Sequence, residues 1–183
     1  MKKRKYSSPY LARDYFSKEI LPSKVYAGRK IIRQNIPYRR HEEIEFVLVR
    51  SGEGTVTVNA QTFPVSRGSL LCFNPGHFHK LDLEKGTKLE ISECHVNAGL
   101  FFYLAACPYV VERPNEIPSP RLLAHLDEQR TEQVTRILDE LAATLEKTPI
   151  QENQPAFFLL MKLFGILETY GIDTNECAPQ ADK

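Results

Sequence analysis

The sequence predicts a mainly β fold, a barrel or jelly roll, followed by a pair of C-terminal helices. Between residues 30 and 96, short runs rich in Val, Ile, Leu, Thr and Phe follow one another and are separated by turn-forming residues. From about residue 132 the apolar residues recur at the three- and four-residue spacing of a helix. A chain of 183 residues is long enough to bury the core of one such domain.

Six strands are predicted in the first half of the chain. Gly and Asn residues in 51–54 and 59–60 favour hairpin connections between them. Residues 55–58, Thr-Val-Thr-Val, alternate as in a strand with one buried face. The predicted strands are 30–34, 43–49, 54–58, 61–65, 70–73 and 89–96.

Two helices are predicted after a proline-containing connection. The first begins near Glu132, and the second, 156–170, follows Pro155 and ends before Gly171. The second helix is apolar on nearly every side, so we expect a second copy of the chain to cover what one barrel cannot. The alternative is that its own domain buries it. The first helix has an apolar face formed by Val134, Ile137, Leu138, Leu141, Ala142 and Leu145. The expected dimer interface comprises Phe157, Leu160, Met161, Phe164 and Leu167.

Positive charge is concentrated at the N-terminus. Residues 1–40 carry twelve Lys and Arg against two acidic residues, a net charge of +10 in a chain whose total is +1. A basic arm over residues 1–24 on an acidic body can contact nucleic acid, an acidic partner or the body itself. We expect docking on the body, because no aromatic-lined groove accompanies the charge.

Several classes of protein are disfavoured by what the sequence does not contain. No apolar segment follows the basic N-terminus as in a signal peptide, and the apolar stretch 156–167 is too short to span a bilayer. A cytoplasmic location without a membrane partner is therefore expected. The cysteines at 72, 94, 107 and 177 form no zinc or redox motif and are expected to be reduced. No catalytic Ser/His/Asp grouping or phosphate-binding glycine loop points to a hydrolase or kinase.

Charged and imidazole side chains alternate just before the second predicted strand. In an extended strand, Arg39, His41, Glu43 and Glu45 would share one face. That face is too polar for a dry core, so we expect it to line solvent or a polar cavity.

These residues resemble the motifs of the cupin superfamily. His41, three residues, Glu45, six residues and Gly52 fit the first motif, except that Arg39 stands where a His is expected. The segment 68–79, Gly-Ser-Leu-Leu-Cys-Phe-Asn-Pro-Gly-His-Phe-His, approximates the second motif with its Pro one residue late. Its wording is similar to the N-terminal sensor domain of AraC-family transcription regulators. The resemblance covers about residues 30–170.

The resemblance implies a cupin-like double-stranded β-helix (jelly roll) and a different role for each segment of the chain. Residues 25–120 would form a cupin barrel that binds an effector, and 121–172 an antiparallel pair of dimerisation helices. Residues 173–183 would be a linker-like tail, with the DNA-binding half of a regulator absent from this chain. The expected function is that of an effector-binding and dimerisation domain. The alternative is a stand-alone metal-dependent cupin enzyme of dioxygenase or isomerase type.

Two kinds of site are open to the motif residues. Without a metal, Arg39 or Arg40 would hold a carboxylate or phosphate and His41 and Glu45 would bind hydroxyl groups, so we expect a small polar, sugar-like effector. With a transition metal, the ligands would be His41, Glu45 and His79. The positive charge of Arg39 disfavours a metal, and no cofactor is expected. No role is predicted for His95 or His125. The expected ligand-binding residues are Arg39, His41, Glu45, Phe73, His77 and His79.

Overall fold

Two antiparallel sheets enclose an apolar interior, and two helices cover the outer face of one of them. The computed structural model describes residues 25–97, 122–147 and 154–170, except the side chains of Glu168 and Tyr170. Sheet A has the strand order β1-β8-β3-β6-β9, and sheet B has the order β2-β7-β4-β5. The strands are β1 Val25–Ile32, β2 Ile36–Arg39, β3 Ile44–Ser51, β4 Gly54–Val58, β5 Gln61–Val65, β6 Ser69–Phe73, β7 His79–Asp82, β8 Leu89–Val96 and β9 Leu123–His125. The helices are α1 Glu128–Leu145 and α2 Gln154–Tyr170.

The mainly β fold and the helix pair are confirmed, and every predicted strand overlaps an observed one. Three further strands, β2, β7 and β9, were not predicted because they are only three or four residues long, and β2 contains Pro37. The expected N-terminal arm, the last part of the barrel region and the linker-like tail lie outside the described residues.

The expectation that the alternating polar residues share one strand is wrong. Arg39 ends β2 in sheet B, whereas Glu45 belongs to β3 in sheet A. The chain leaves the strand conformation at residues 40–43 in order to pass from one sheet to the other. The polar side chains therefore approach one another across the barrel instead of along one ribbon.

Alternation along β3 separates two hydrophobic clusters. Val47 and Val49 point into the barrel, where they pack with residues of sheet B such as Val56. Phe46 and Leu48 point outward and pack against the helices. A glycine is required where β3 turns into β4, because Gly52 has a φ of 88° and a Cβ there would collide with the Lys88 carbonyl oxygen.

The β4–β5 hairpin contains a strained residue. Asn59 and Ala60 have φ angles of 45° and 73°, as a tight two-residue turn requires, and Ala is poorly suited to that region. We expect Ala60→Gly to raise the free energy of unfolding by about 0.5–1 kcal/mol, measured by urea denaturation. Asn59→Gly serves as the comparison, because the Asn59 side chain accepts a hydrogen bond from the Phe78 backbone at 3.1 Å and should not be replaceable without loss. A neutral or destabilising Ala60→Gly would contradict the strain.

Helix α1 begins earlier than predicted and is fixed to sheet A by polar contacts. Asp127 caps it by accepting a hydrogen bond from the Arg130 backbone at 2.9 Å. The Arg50 guanidinium of β3 contacts both carboxylate oxygens of Asp139, at 2.6 and 3.1 Å. The next residue back, Val49, lies in the barrel interior, so one short stretch of β3 contacts both the interior and α1.

Helix α2 is covered largely by its own protomer. Leu160, Phe164 and Leu167 of the expected dimer interface lie in the cluster between the helices and sheet A. Phe164 packs edge-on against Phe46, with ring centroids 5.2 Å apart. The protomer itself therefore buries these three residues, because the outer face of sheet A supplies apolar surface for them. Dimerisation through α2 stays a prediction. Phe157 and Met161 are half-buried, and the neighbouring Phe158 is 61% exposed.

The described cysteines are reduced and buried. Cys72 and Cys94 are buried free thiols, and burial raises the pKa of both. The other two cysteines lie outside the described residues. Among the described residues, no helix combines the length and the apolar character needed to cross a membrane.

Candidate ligand-binding site

Five ionisable side chains converge at one end of the barrel interior. Arg39 at the end of β2 is the register partner of His79 at the start of β7, and Glu45 on β3 is the partner of His95 on β8. His41 reaches the same cluster from the connection between β2 and β3. All of these side chains are buried, and Glu45 has no exposed surface. Both sheets thus contribute to one polar cluster.

The guanidinium of Arg39 lies at the centre of the cluster. Its Nη2 donates to the Glu45 carboxylate oxygens at 2.9 and 3.3 Å, and its Nε donates to His79 Nε2 at 2.9 Å. Since His79 Nε2 accepts, the ring carries its proton on Nδ1, which donates to the His77 carbonyl oxygen at 3.1 Å. The His79 ring also stacks on Phe73, with centroids 4.2 Å apart and planes 7° from parallel. Arg39 and Phe73 therefore fix the orientation of His79.

The Glu45 carboxylate is held in its charged form. Burial alone raises its pKa, but the charge of Arg39, the nearby His95 and the hydrogen bond to His41 lower the pKa well below its ordinary value. His41 Nε2 contacts Glu45 Oε2 at 2.7 Å. The carboxylate and the guanidinium consequently form a buried ion pair with further hydrogen bonds around it, the arrangement in which a buried pair is tolerated.

Sequence reasoning missed a second carboxylate and a histidine beside this cluster. Glu93 is 1% exposed, and its Oε1 accepts a hydrogen bond from Lys30 Nζ at 2.6 Å. His95 Nε2 lies 3.7 Å from Glu45 Oε1 and 3.9 Å from Glu93 Oε2. The alternation of side chains along β8 is the signal that would have identified both residues. Leu89, Ile91, Glu93 and His95 share the inward face of this predicted strand, so two polar side chains follow two apolar ones toward the barrel interior.

An apolar cavity adjoins the polar cluster inside the barrel. Arg39, Phe73 and His79 of the predicted site line it, together with Lys80. The cavity volume is about 400 Å³ when its opening to solvent is included. The enclosed part is much smaller, because the centre of a water molecule can occupy only about 30 Å³ of it. The remaining lining is aliphatic and comes from both sheets; it includes Val47, Val49, Val56, Leu71, Leu81 and Ile91.

The structure brings most, but not all, of the predicted site residues together. Arg39, His41 and His79 each contact Glu45, and Phe73 stacks on His79. His77 lies apart, half-buried in the preceding turn, where its Nδ1 contacts the Asn74 backbone nitrogen at 3.2 Å. Ligand binding by these residues stays a prediction.

The donor set does not fit a resident metal. Atoms of His41, Glu45 and His95 lie within 4.8 Å of one another, so in the described part of the chain the candidate group contains His95 in place of the predicted His79. A divalent cation bound to Glu45 would meet the permanent charge of Arg39, which already occupies both carboxylate oxygens. The guanidinium would have to leave before a metal entered.

Acidification should destabilise the fold through the buried histidines first. Burial lowers the pKa of His79, and Glu45 opposes this only in part; burial also lowers the pKa of His77. The unfolded chain therefore binds more protons, so this stabilisation is complete above about pH 6.5 and is lost as the pH falls through the folded-state pKa values. Glu45 adds a second loss at still lower pH. We expect the urea midpoint to fall between pH 7.5 and pH 5.

A variant separates His79 from the general effects of acid. His79→Gln keeps an oxygen that accepts from Arg39 but removes the titrating ring, so its urea midpoint should depend less on pH over the same interval. An unchanged pH dependence would show that His79 does not contribute.

A two-sheet barrel with a helix pair on one outer face is the architecture of a cupin-like jelly-roll domain. The sequence model of one family, described as the AraC-like ligand binding domain, matches residues 25–166. The chain belongs to this family. The predicted resemblance and the cupin-like jelly-roll fold are thereby confirmed.

Three solved structures are similar to this chain at low sequence identity. Apo ToxT from Vibrio cholerae is 8% identical, with a TM-score of 0.53, and the match covers 78% of this chain and 53% of that one. A predicted oxalate decarboxylase from Thermotoga maritima is 22% identical (TM-score 0.39; 45% of this chain, 75% of that one). The cupin domain of Schizosaccharomyces pombe Cnp3 is 21% identical (TM-score 0.40; 48% and 64%). No curated protein matches the chain.

Proposed function

We propose that this chain is the effector-binding and dimerisation domain of an AraC-type transcription regulator, located in the cytoplasm, and not an enzyme. The observation that carries the proposal is the buried Arg39–Glu45 ion pair at 2.9 Å, which places a guanidinium where a cupin enzyme would need an accessible metal. Membership of the AraC-like ligand binding domain family supports the same reading.

The contacts of β3 supply a route from the cavity to the helices. Val49 lines the cavity, and the adjacent Arg50 holds Asp139 of α1 on the other side of the sheet. An effector that moves β3 would therefore change the position of α1 as well. In a regulator, this would alter how the two subunits present their DNA-binding parts.

The exposed side of α2 is the proposed dimer contact. Phe158 is the most exposed of the large apolar residues in the described part of the chain, and Phe157 packs against it with ring centroids 6.2 Å apart. Met161, one turn along the helix from Phe157, is half-exposed. We assign the contact to these three residues. The other members of the predicted interface serve the protomer core.

A metal-dependent cupin enzyme is the second candidate function. The proximity of donor atoms from His41, Glu45 and His95, all within 4.8 Å, is the observation in its favour. It requires Arg39 to leave the carboxylate, which the ion pair resists.

Native mass spectrometry of the purified chain separates the two functions. We expect a metal-free dimer, and we expect Phe158→Glu to convert it to a monomer because a carboxylate would be buried at the contact. Ile31→Glu is the matched control, since Ile31 is an apolar residue of comparable exposure, 52%, that belongs to β1 and not to α2. A monomer carrying one stoichiometric transition metal would overturn the proposal in favour of the enzyme.

A further inference from the structure

Glu93 is a buried carboxylate beside the cavity. It lies opposite Val47 in the β3–β8 pairing and two residues beyond Ile91 on β8, and both of these residues line the cavity. Its side chain is 1% exposed. Glu93 thus adjoins the lining of the cavity through these two neighbours, on the inward face of sheet A that also carries Glu45.

Within the described part of the chain, one oxygen of this carboxylate has a hydrogen-bond partner and the other has none. Lys30 Nζ donates to Oε1 at 2.6 Å, whereas His95 Nε2 is 3.9 Å from Oε2, beyond hydrogen-bonding distance. No side chain or backbone group of the described residues donates to Oε2. Burial alone raises the pKa of Glu93, but His95 and Lys30 lower it below its ordinary value, so the group is an ionised acceptor. A buried acceptor of this kind is stabilised by a donor that comes from outside the chain.

The cations at the cavity are already paired. Arg39 donates to Glu45, and Lys80 Nζ lies 2.5 Å from Asp82. An anionic ligand would have to displace one of these carboxylates. The rest of the lining is predominantly aliphatic, which disfavours a ligand with many hydroxyl groups because they would be buried without partners.

We infer that the effector is a largely apolar molecule carrying one hydrogen-bond donor, an alcohol or phenol hydroxyl, and that Glu93 Oε2 accepts this donor inside the barrel. The inference rests on the proposed effector-binding function and makes its ligand class specific. It also replaces the small polar, sugar-like effector that the motif residues alone suggest.

Four small probes distinguish the ligand classes. The full chain, labelled with ¹⁵N, is titrated with 1-hexanol, 2-hexanone, hexanoate and glucose, and binding is followed by the amide shifts of Val47, Ile91 and Glu93. The alcohol donates, the ketone only accepts, hexanoate is anionic and glucose is polar throughout. A hydrogen bond to a charged acceptor predicts that 1-hexanol binds about 10-fold more tightly than 2-hexanone. Hexanoate and glucose should bind more weakly than the alcohol.

Glu93→Gln tests the acceptor directly. The amide can keep its oxygen on Lys30 and present its NH₂ group to the ligand, so the 10-fold preference for the alcohol over the ketone should fall to about one. Glu90→Gln is the matched control. Glu90 is on the same strand but pairs with Arg29 at 2.6 Å on an exposed face, so the wild-type preference should persist. A generally loosened fold would weaken both ligands without changing their ratio.

Each contrary outcome has a defined meaning. Equal affinity of the wild-type protein for 1-hexanol and 2-hexanone would overturn the role of Glu93, even if Glu93→Gln failed to fold. Tighter binding of hexanoate or glucose would overturn the ligand class while leaving effector binding in place. Absence of shifts with every probe would also overturn the inference. The proposed function would fall with it only if native mass spectrometry showed a metal-bound monomer.

Discussion

Replacing Arg39 with Met should lower the free energy of unfolding by about 3–5 kcal/mol, because it leaves the Glu45 carboxylate buried without its cation. Glu45 has no exposed surface, and Arg39 is its nearest positively charged partner at 2.9 Å. His79 also loses the donor to its Nε2. Chemical denaturation at pH 7 measures the loss.

Substitutions of Arg39 and Glu45 should have non-additive effects on the free energy of unfolding. Glu45→Met alone leaves the guanidinium buried without its carboxylate and should lower the free energy of unfolding by a similar amount. Arg39→Met combined with Glu45→Met removes both charges together. We expect the double variant to be more stable than the sum of the single losses predicts by about 2 kcal/mol. Additive losses would show that the two side chains do not depend on each other. Arg29→Met, which breaks an exposed ion pair with Glu90, is the control and should have little effect.

Truncating Phe164 should destabilise the protomer, whereas truncating Phe158 should not. Phe164 is 4% exposed and packs against Phe46 of sheet A, so Phe164→Ala opens a cavity and costs about 3–5 kcal/mol. Phe158 is 61% exposed, and Phe158→Ala should change protomer stability by less than about 0.5 kcal/mol. Urea unfolding at several protein concentrations separates protomer stability from association.

Phe158→Ala should reduce the affinity of the dimer more than Phe164→Ala does. Phe158→Ala should weaken the dimer, seen as a dissociation constant raised by at least about 10-fold in analytical ultracentrifugation. If Phe164→Ala weakened association while leaving protomer stability intact, the assignment of Phe164 to the protomer core would be wrong.

The local pattern of the sequence was sufficient for most of the fold. The runs that became β4 and β5 were predicted with correct bounds, because alternation and the turn at Asn59 are encoded within a few residues. Strands β2 and β7 pair with each other and contain too few residues to show a period. Their existence depends on the partner strand, which lies about 40 residues away in the chain.

The candidate site was predictable where its residues lie close together in the motif. Arg39, His41 and Glu45 fall within seven positions, and their convergence with His79 follows the cupin-like spacing. Glu93 and His95 join them only through the pairing of β3 with β8, nearly 50 residues apart, which a single sequence does not display. The apolar lining of the cavity comes from eight strands, so the motif residues alone suggested a more polar ligand than the cavity favours.

The burial of α2 depends on a surface that its composition does not reveal. The apolar character of α2 was predicted, but the outer face of sheet A, with Phe46 and Leu48, was not anticipated as a second apolar surface. That face covers Leu160, Phe164 and Leu167, whereas Phe158 remains exposed.

The position of Arg39 also determines how this barrel would respond to its surroundings. A barrel with a metal at its centre gains or loses its central charge according to metal supply, and a chelator can empty it. Here the positive charge belongs to the side chain of Arg39 in β2. It cannot dissociate from the protein as a metal ion can. EDTA should therefore leave the melting temperature of this chain unchanged, because the positive charge beside Glu45 is covalently part of the protein.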